Sequence, residues 1–307
     1  MAVPQVLCAA IDIGSNTTRL LVAEPDEGQL RTVMEQRAYT RIDSKSRRKG
    51  KIVPEKVAEI AEAVATQRRL AEELGAEAIK TVATAAIREA RNQEKVVAEI
   101  EREAGVEVDV LSEEEEGRYA FIGATKTLGH PVDGDIAVVD VGGGSSEIIV
   151  GTVPEGARKV HSFPIGSGSL ADEFLSDDPP SAAELREVRE HISEYFDGVE
   201  IEQPEQAVAV GGSATSLRRL VGAVLEYETL ERGVRVLASD EIAEVARRFE
   251  LDPRRVRILP TGVLLLERLS QLLGQPLQIG KGGLREGVIL ELLANGDSNG
   301  ASAKLAA

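Results

Sequence analysis

One short pattern occurs twice in this chain. Residues 11–22 read IDIGSNTTRLLV and residues 139–150 read VDVGGGSSEIIV. At an offset of 128, apolar residues coincide at 11/139, 13/141, 20/148, 21/149 and 22/150. Asp12 coincides with Asp140, Gly14 with Gly142, and Thr17 and Thr18 with Ser145 and Ser146. Each copy is an apolar run carrying an Asp, a tight Gly/Ser turn and a second apolar run, which is the pattern of a β-hairpin with a polar tip. A hairpin duplicated at half-chain spacing predicts two related domains facing each other.

The tips suggest a chemistry. They read Asp12-Ile-Gly14-Ser15-Asn16-Thr17 and Asp140-Val-Gly142-Gly143-Gly144-Ser145-Ser146-Glu147. Glycine lets backbone amides approach an anion, and consecutive N–H groups form a nest for phosphate oxygens. Aspartates at strand ends can hold Mg²⁺, which keeps part of its water shell. One such tip would read equally well as an ordinary turn; two aligned copies, each led by Asp, favour a phosphate and metal site.

A third glycine-rich turn, Gly211-Gly212-Ser213-Ala214-Thr215, follows the apolar run 206–210 and opens a helix. Helix N-termini present free N–H groups and partial positive charge to anions. The spacing is neither that of a Rossmann fingerprint nor that of a P-loop, so an ordinary structural turn stays open beside the anion site.

Other elements alternate as strands and helices, so the class is α/β. Residues 54–74 predict a helix ended by Gly75, 78–83 a strand, 106–111 another, and Asn92 a helix cap. Ser112–Glu115 and Ser181–Glu184 are capping boxes. Glu115 therefore has a structural task, and Glu116 is free to point elsewhere as a candidate base for water; a solvated helix start explains the four adjacent carboxylates as well. Domain boundaries are expected at 1–126 and 127–296. Residues 297–307 (DSNGASAKLAA) are expected to be a disordered tail or vector remnant.

Net charge is −16, with five Phe, four Tyr and no Trp. This disfavours nucleic acid as a partner. No 18-residue apolar run exists, so no membrane span is expected. The single cysteine, Cys8, fits a reducing cytoplasm. Against the acidic background, residues 37–51 hold seven Lys/Arg and one Asp. They are either a solvated loop or a cationic flap over a polyanion, with Arg47, Arg48 and Lys49 as candidates. Arg88 and Arg91 are placed to reach a cleft, or are surface charges. Three scattered His and no CxxC give no support to zinc or Ser-His-Asp chemistry.

Eight ordered blocks, from AIDIGSNTTRLLV through TVATAAIREARN, LSEEEEGRYAFIGA, VVDVGGGSSEIIVG, FPIGSGSLADEFL, AVGGSATSLRRL and RVRILPTGVLLLERL to GLREGVILE, resemble the exopolyphosphatase / guanosine pentaphosphate phosphohydrolase family. This family lies within the sugar kinase–Hsp70–actin superfamily. The resemblance implies two actin-like (ribonuclease H-like) domains with a cleft between them. It implies Mg²⁺-dependent (or Mn²⁺-dependent) removal of the terminal phosphate of polyphosphate, or of the 5′ γ-phosphate of guanosine pentaphosphate, in the cytoplasm. By analogy Glu116 is the general base. Asp12, Asp140 and Glu147 serve the metal, and Asp140 and Glu147 also help to hold the water. Gly14, Ser15, Asn16 and Thr17, Gly142, Gly143, Gly144 and Ser145, and Gly212, Ser213 and Thr215 surround phosphate. The family leaves room for a homodimer. The chain resembles the short form, without the helical C-terminal extension of longer members, which implies short polyphosphates. Ala85 and Ser169 depart from the commoner Ser and Arg of those blocks, and RIDSKSRRKGK from a LGEG-like stretch. Competing expectations are a kinase-type phosphoryl transfer from ATP and a non-catalytic filament or polyphosphate/alarmone sensor.

Overall fold

The computed structural model describes residues 6–26, 29–42 and 50–304, with side chains as far as residue 295. It divides into two units, Met1–Gly129 with Gly282–Ala307, and His130–Lys281.

The first unit contains β1 (Cys8–Ile13), β2 (Thr18–Asp26), β3 (Gln29–Ala38), α1 (Pro54–Glu73), β4 (Ala78–Ala83), α2 (Ala85–Arg88), α3 (Gln93–Ala104), β5 (Val108–Val110) and α4 (Glu113–Lys126), and the last helix of the chain, α12 (Leu284–Lys304). Its sheet has the order β3-β2-β1-β4-β5, with β2 antiparallel and β4 parallel to β1. Successive strand residues face opposite sides. Ala9, Ile11 and Ile13 accordingly join the core formed with Ile60, Val64, Val96 and Ile100 of α1 and α3. Cys8 and Ala10 join Leu111, Tyr119, Leu284, Val288 and Ile289 on the other face. Asp12 follows the parity of Cys8 and Ala10 and therefore lies on the α4/α12 side.

The second unit repeats this plan. It contains β6 (Ile136–Val141), β7 (Ser146–Thr152), β8 (Gly156–Phe163), α5 (Ser167–Phe174), α6 (Ala182–Tyr195), β9 (Gln206–Val210), α7 (Gly211–Val221), β10 (Val224–Leu225), α8 (Tyr227–Ser239), α9 (Ile242–Phe249), α10 (Pro253–Val256), α11 (Leu259–Leu273) and β11 (Leu277–Ile279). The sheet order β8-β7-β6-β9-β11-β10 matches the first unit with β10 added at one edge. The two hairpins agree in register. Asp12 pairs with Arg19 and Ile13 with Thr18; at the same offset, Asp140 pairs with Glu147 and Val141 with Ser146.

Three expectations are corrected. The contiguous 127–296 domain loses its last helix, which returns to the first unit. A sheet covered on one face only would leave Cys8, Ala10, Leu21 and Ala23 wet, and Leu284, Val288 and Ile289 cover them. Each such fully buried side chain is worth about 1.5–3 kcal/mol. The expected tail from 297 continues as helix to Lys304, because extending a helix already nucleated by packing costs little; residues 305–307 lie outside the described residues. Asn92 makes no side-chain cap. Its amide instead donates to Ile52 O at 2.9 Å and accepts from Ile52 N at 3.0 Å. Among the described residues no helix is long and apolar enough to cross a membrane.

Both capping boxes form. In the second, Glu184 Oε2 accepts from Ser181 N at 2.8 Å, while Oε1 accepts from Ser176 N at 2.6 Å and Asp177 N at 3.1 Å. Burial pushes this carboxyl upward, but the backbone donors outweigh it and hold its pKa at about 2. A depressed carboxyl contributes stability above its unfolded value that is lost as pH falls through the folded value. Glu184→Gln is therefore expected to lower the Tm at pH 7 and to converge with wild type between pH 4.5 and about 2. A melting-temperature gap unchanged at pH 2 would reject this assignment.

Candidate active site

In the second unit the turn between β6 and β7 is closed by Gly142 N donating to Ser145 O at 3.0 Å. The next segment then ties down its carbonyls. Ser167 donates to Gly142 O through both N and Oγ, each at 2.9 Å. Ser169 donates to Gly143 O through N at 2.9 Å and Oγ at 3.3 Å. Among the described residues no backbone carbonyl accepts from the N–H of Gly143, Gly144 or Ser145. Fixed carbonyls with unspent consecutive amides make a nest for an anion. The contact needs glycine, since a Cβ at Gly166 would sit 2.5 Å from Gly144 N.

Two carboxylates stand beside this turn. Directly opposed residues of antiparallel strands share a face, so Asp140 and Glu147 lie on one side of the sheet. Glu147 is 5% exposed. Asp140 lies over the backbone at the start of α7: Gly211 has φ +80°, and a Cβ there would overlap Asp140 Oδ1.

Ser213 and Thr215 are not placed as expected. Ser213 is fully buried, and its hydroxyl donates to Ser167 Oγ at 3.4 Å. Thr261 Oγ1 donates to Ser167 O at 2.7 Å. Ser213 therefore supports the turn through Ser167. Thr215 Oγ1 donates back to Gly211 O at 2.9 Å, so its proton is committed to its own helix. Gly212 is buried in the first turn of α7.

The first unit builds its tip in the same way. Gly14 N donates to Thr17 O at 3.1 Å, and the chain beyond β3 ties the carbonyls: Ile42 N donates to Ser15 O at 2.7 Å and Arg41 N to Asn16 O at 3.2 Å. Thr17 is buried, and its Oγ1 accepts from Arg19 Nε at 3.0 Å. The difference lies opposite the aspartate, where Glu147 of the second unit is replaced by Arg19. Desolvation raises the Asp12 carboxyl, Arg19 and then Arg285 lower it, and Glu286 raises it. A carboxylate faced by a guanidinium is poorly suited to hold Mg²⁺, so the expected Asp12 ligand is the one that fits least.

Glu116 behaves as its spacing suggested. Glu115 closes the capping box, and Glu116 turns to Arg88, whose Nη1 donates to Glu116 Oε2 at 2.7 Å and to Leu111 O at 2.9 Å. The Glu116 side chain is 14% exposed. Arg88 thus holds the candidate base, where an open substrate-track arginine was expected. Arg91 is exposed, and its side chain lies against Gly50. Arg47, Arg48 and Lys49 lie outside the described residues.

Sequence reasoning placed Gly211 in a glycine-rich turn without its contact to Asp140, and it missed Ser167. The GSGS spacing at 166–169 alternates glycines with hydroxyls, as backbone-to-backbone packing on a turn requires, but nothing local names the turn it packs on.

The chain belongs to the Ppx/GppA phosphatase family, whose profile matches residues 21–296. It is 30% identical over 305 residues to "Exopolyphosphatase 1" of Mycobacterium tuberculosis, covering 92% of this chain and 87% of that one. It is 27% identical over 308 residues to "Guanosine-5'-triphosphate,3'-diphosphate pyrophosphatase" of Aeromonas hydrophila, covering 94% of this chain and 60% of that one. The crystal structure of the Aquifex aeolicus Ppx/GppA family member matches with a TM-score of 0.78 at 29% identity, over 95% of this chain and 99% of that chain. Both units have the actin-like fold of that family, and the chain is a hydrolase of the exopolyphosphatase type, acting on phosphoanhydrides.

Gly211→Ala is expected to displace the Asp140 carboxylate and to strain a left-handed backbone by about 1–3 kcal/mol. Denaturant melts and turnover would be read together. A variant that loses stability on that scale yet keeps full turnover would show that Asp140 does not need this seat.

Proposed function

We propose that the protein removes the terminal phosphate of inorganic polyphosphate, with short chains favoured, in a Mg²⁺-dependent hydrolysis. The observation that carries this reading is the Asp140–Glu147 pair on one sheet face, beside a turn whose carbonyls are tied and whose amides are not. Mg²⁺ takes few protein carboxylates and keeps several waters. A pair of carboxylates suits it, and Mn²⁺ as a substitute. Asp140 and Glu147 would hold the ion, which supplies neutralisation of the charge that builds on the transferred phosphoryl group.

The chain's own residues supply the rest. The amides of Gly143, Gly144 and Ser145 hold phosphate oxygens, as do those of Ser15, Asn16 and Thr17, while Gly14 N closes its turn on Thr17 O. Glu116, fixed by Arg88, accepts a proton from the attacking water at a carboxylate oxygen. Water attacks the terminal phosphorus, the bridging P–O bond breaks, the shortened chain departs with the bridging oxygen, and the phosphoryl group bonded to the water oxygen is released as orthophosphate; Glu116 takes the water's proton and passes it to solvent. No covalent enzyme intermediate is needed, since positioning and fixed dipoles account for such transfers. A reducing cytoplasm suits the single buried cysteine.

Guanosine pentaphosphate is the second reading, favoured by the likeness to the Aeromonas relative. Side-by-side phosphate release from short polyphosphate, long polyphosphate, guanosine pentaphosphate and ATP separates the two. Short polyphosphate turned over fastest supports the proposal; the pentaphosphate fastest moves it to the alarmone, ATP fastest to a kinase-like nucleotide site, and binding without release to a sensor. Glu116→Gln is expected to fold normally, bind substrate and lose turnover by about 10²–10⁴-fold, the usual worth of a general base. Unchanged release would remove Glu116 from the mechanism.

A further inference from the structure

The two units differ at one sheet edge. Registers through the repeated strands make Val108 of β5 equivalent to Ile279 of β11. Val108 pairs with Thr81 and Thr81 with Ile11, while Ile279 pairs with Ala209 and Ala209 with Val139. In the second unit β10 covers the outer edge of β11, antiparallel to it, and Ile279 N donates to Ala223 O at 2.8 Å. In the first unit β5 is the last strand of the sheet. There Val108 N donates to Oε1 of Glu101, a side chain of α3, at 3.0 Å. A carboxylate thus occupies the place that a strand carbonyl holds in the duplicate.

The rest of that edge is open. Leu111 N donates inward to Ala83 O at 3.0 Å, and successive amides of a strand point to opposite edges. The N–H of Val110 therefore points outward, as that of Val108 does. Among the described residues no group accepts from Val110 N. An edge with free main-chain groups is a template for a further strand. Beside it lies a groove of about 590 Å³ whose lining includes Arg68, Glu72, Lys80, Glu107 and Asp109. Both cations are already paired, Arg68 with Glu72 at 2.8 Å and Lys80 with Asp109 at 3.1 Å. Among the described residues Glu101 and Glu107 have no cationic partner, so the edge is short of positive charge. Val108 is buried on the α1/α3 face, and Glu107 and Asp109, both exposed, lie on the opposite one. An added strand would set apolar side chains beside Val108 and Val110 and basic ones beside Glu107 and Asp109.

We propose that the β5 edge is a docking site for an extended peptide segment of alternating apolar and basic residues, which adds antiparallel to the sheet as β10 does in the second unit. Main-chain hydrogen bonds to Val108 and Val110 supply affinity, and the carboxylates of Glu107 and Asp109 select the sequence. A second copy of the chain fits poorly. Antiparallel pairing of β5 with itself about Asp109 sets two aspartates directly opposite, which is destabilising. Glu101 is the plug: an incoming carbonyl must displace its carboxylate from Val108 N. The docking site is independent of the hydrolase reading.

The test titrates the ¹⁵N-labelled full chain with two end-capped peptides, Lys-Val-Lys-Val-Lys and Glu-Val-Glu-Val-Glu, in wild type, Glu101→Ala, Glu101→Gln and Val110→Pro. Proline at an edge position removes only the outward N–H, and one hydrogen bond gained or lost moves affinity by about 3–10-fold. The basic peptide is expected to shift the amides of Val108 and Val110 saturably in wild type. It is expected to bind Glu101→Ala tighter by that factor and Val110→Pro weaker by it, and the acidic peptide is expected not to bind. A basic peptide held by charge alone binds Glu101→Ala more weakly than wild type, and that result overturns the proposal. Equal binding of both peptides, an affinity unmoved by Val110→Pro, or no binding at all does the same. Self-association of Glu101→Ala in sedimentation, without peptide binding, makes a second copy the occupant and also overturns it. Should Glu101→Ala fail to fold, Glu101→Gln decides, because it keeps an acceptor at Val108 N without the charge. Tighter binding by that variant supports the edge site, and unchanged or weaker binding overturns it.

Discussion

A hairpin tip can offer its amides to an anion only if its carbonyls are occupied elsewhere, because a tight turn otherwise spends its polar groups on itself and on water. Both hairpins meet this condition by the same device. The chain that leaves the third strand of the sheet returns to donate hydrogen bonds to the tip: Arg41 and Ile42 in the first unit, Ser167 and Ser169 in the second. Much of the second unit's local sequence answers to this need. Gly166 and Gly168 allow the approach, Ser213 and Thr261 brace Ser167, and Gly211 clears space for Asp140. Ser169, which stands where an arginine is commoner in the resembling block, has become part of the clamp.

The duplicated hairpins have diverged in one charge. Opposite Asp140 stands a carboxylate, and opposite Asp12 a guanidinium. The first arrangement suits a cation with its water shell; the second suits a group that itself carries negative charge. The sheet and register are alike, so the difference in chemistry follows from position 19 against position 147.

Much of this was legible in sequence where the signal is local. Asp12 and Asp140 could be aligned because the hairpin repeats at a fixed offset. The division of labour between Glu115 and Glu116 followed from capping-box spacing, since neighbours on a helix cannot face the same way. What was not legible depends on distant partners. Asn92 has the composition of a cap but bonds to Ile52. Ser213 and Thr215 have phosphate-binding composition, but their hydroxyls are turned inward by Ser167 and by the helix carbonyls. Nothing within 284–293 announces that it will cover β1, because an apolar stripe specifies a face and not its partner.

The central claim is that the amides of Gly143, Gly144 and Ser145 receive phosphate beside the Asp140–Glu147 pair. The most direct measurement is the ¹⁵N–¹H spectrum of the protein on titration with Mg²⁺ and pyrophosphate, in wild type and in Asp140→Asn. The account predicts large downfield shifts at those three amides in wild type, needing both components, and their loss in the variant. Shifts confined to other residues, with these three amides unmoved at saturation, would contradict it.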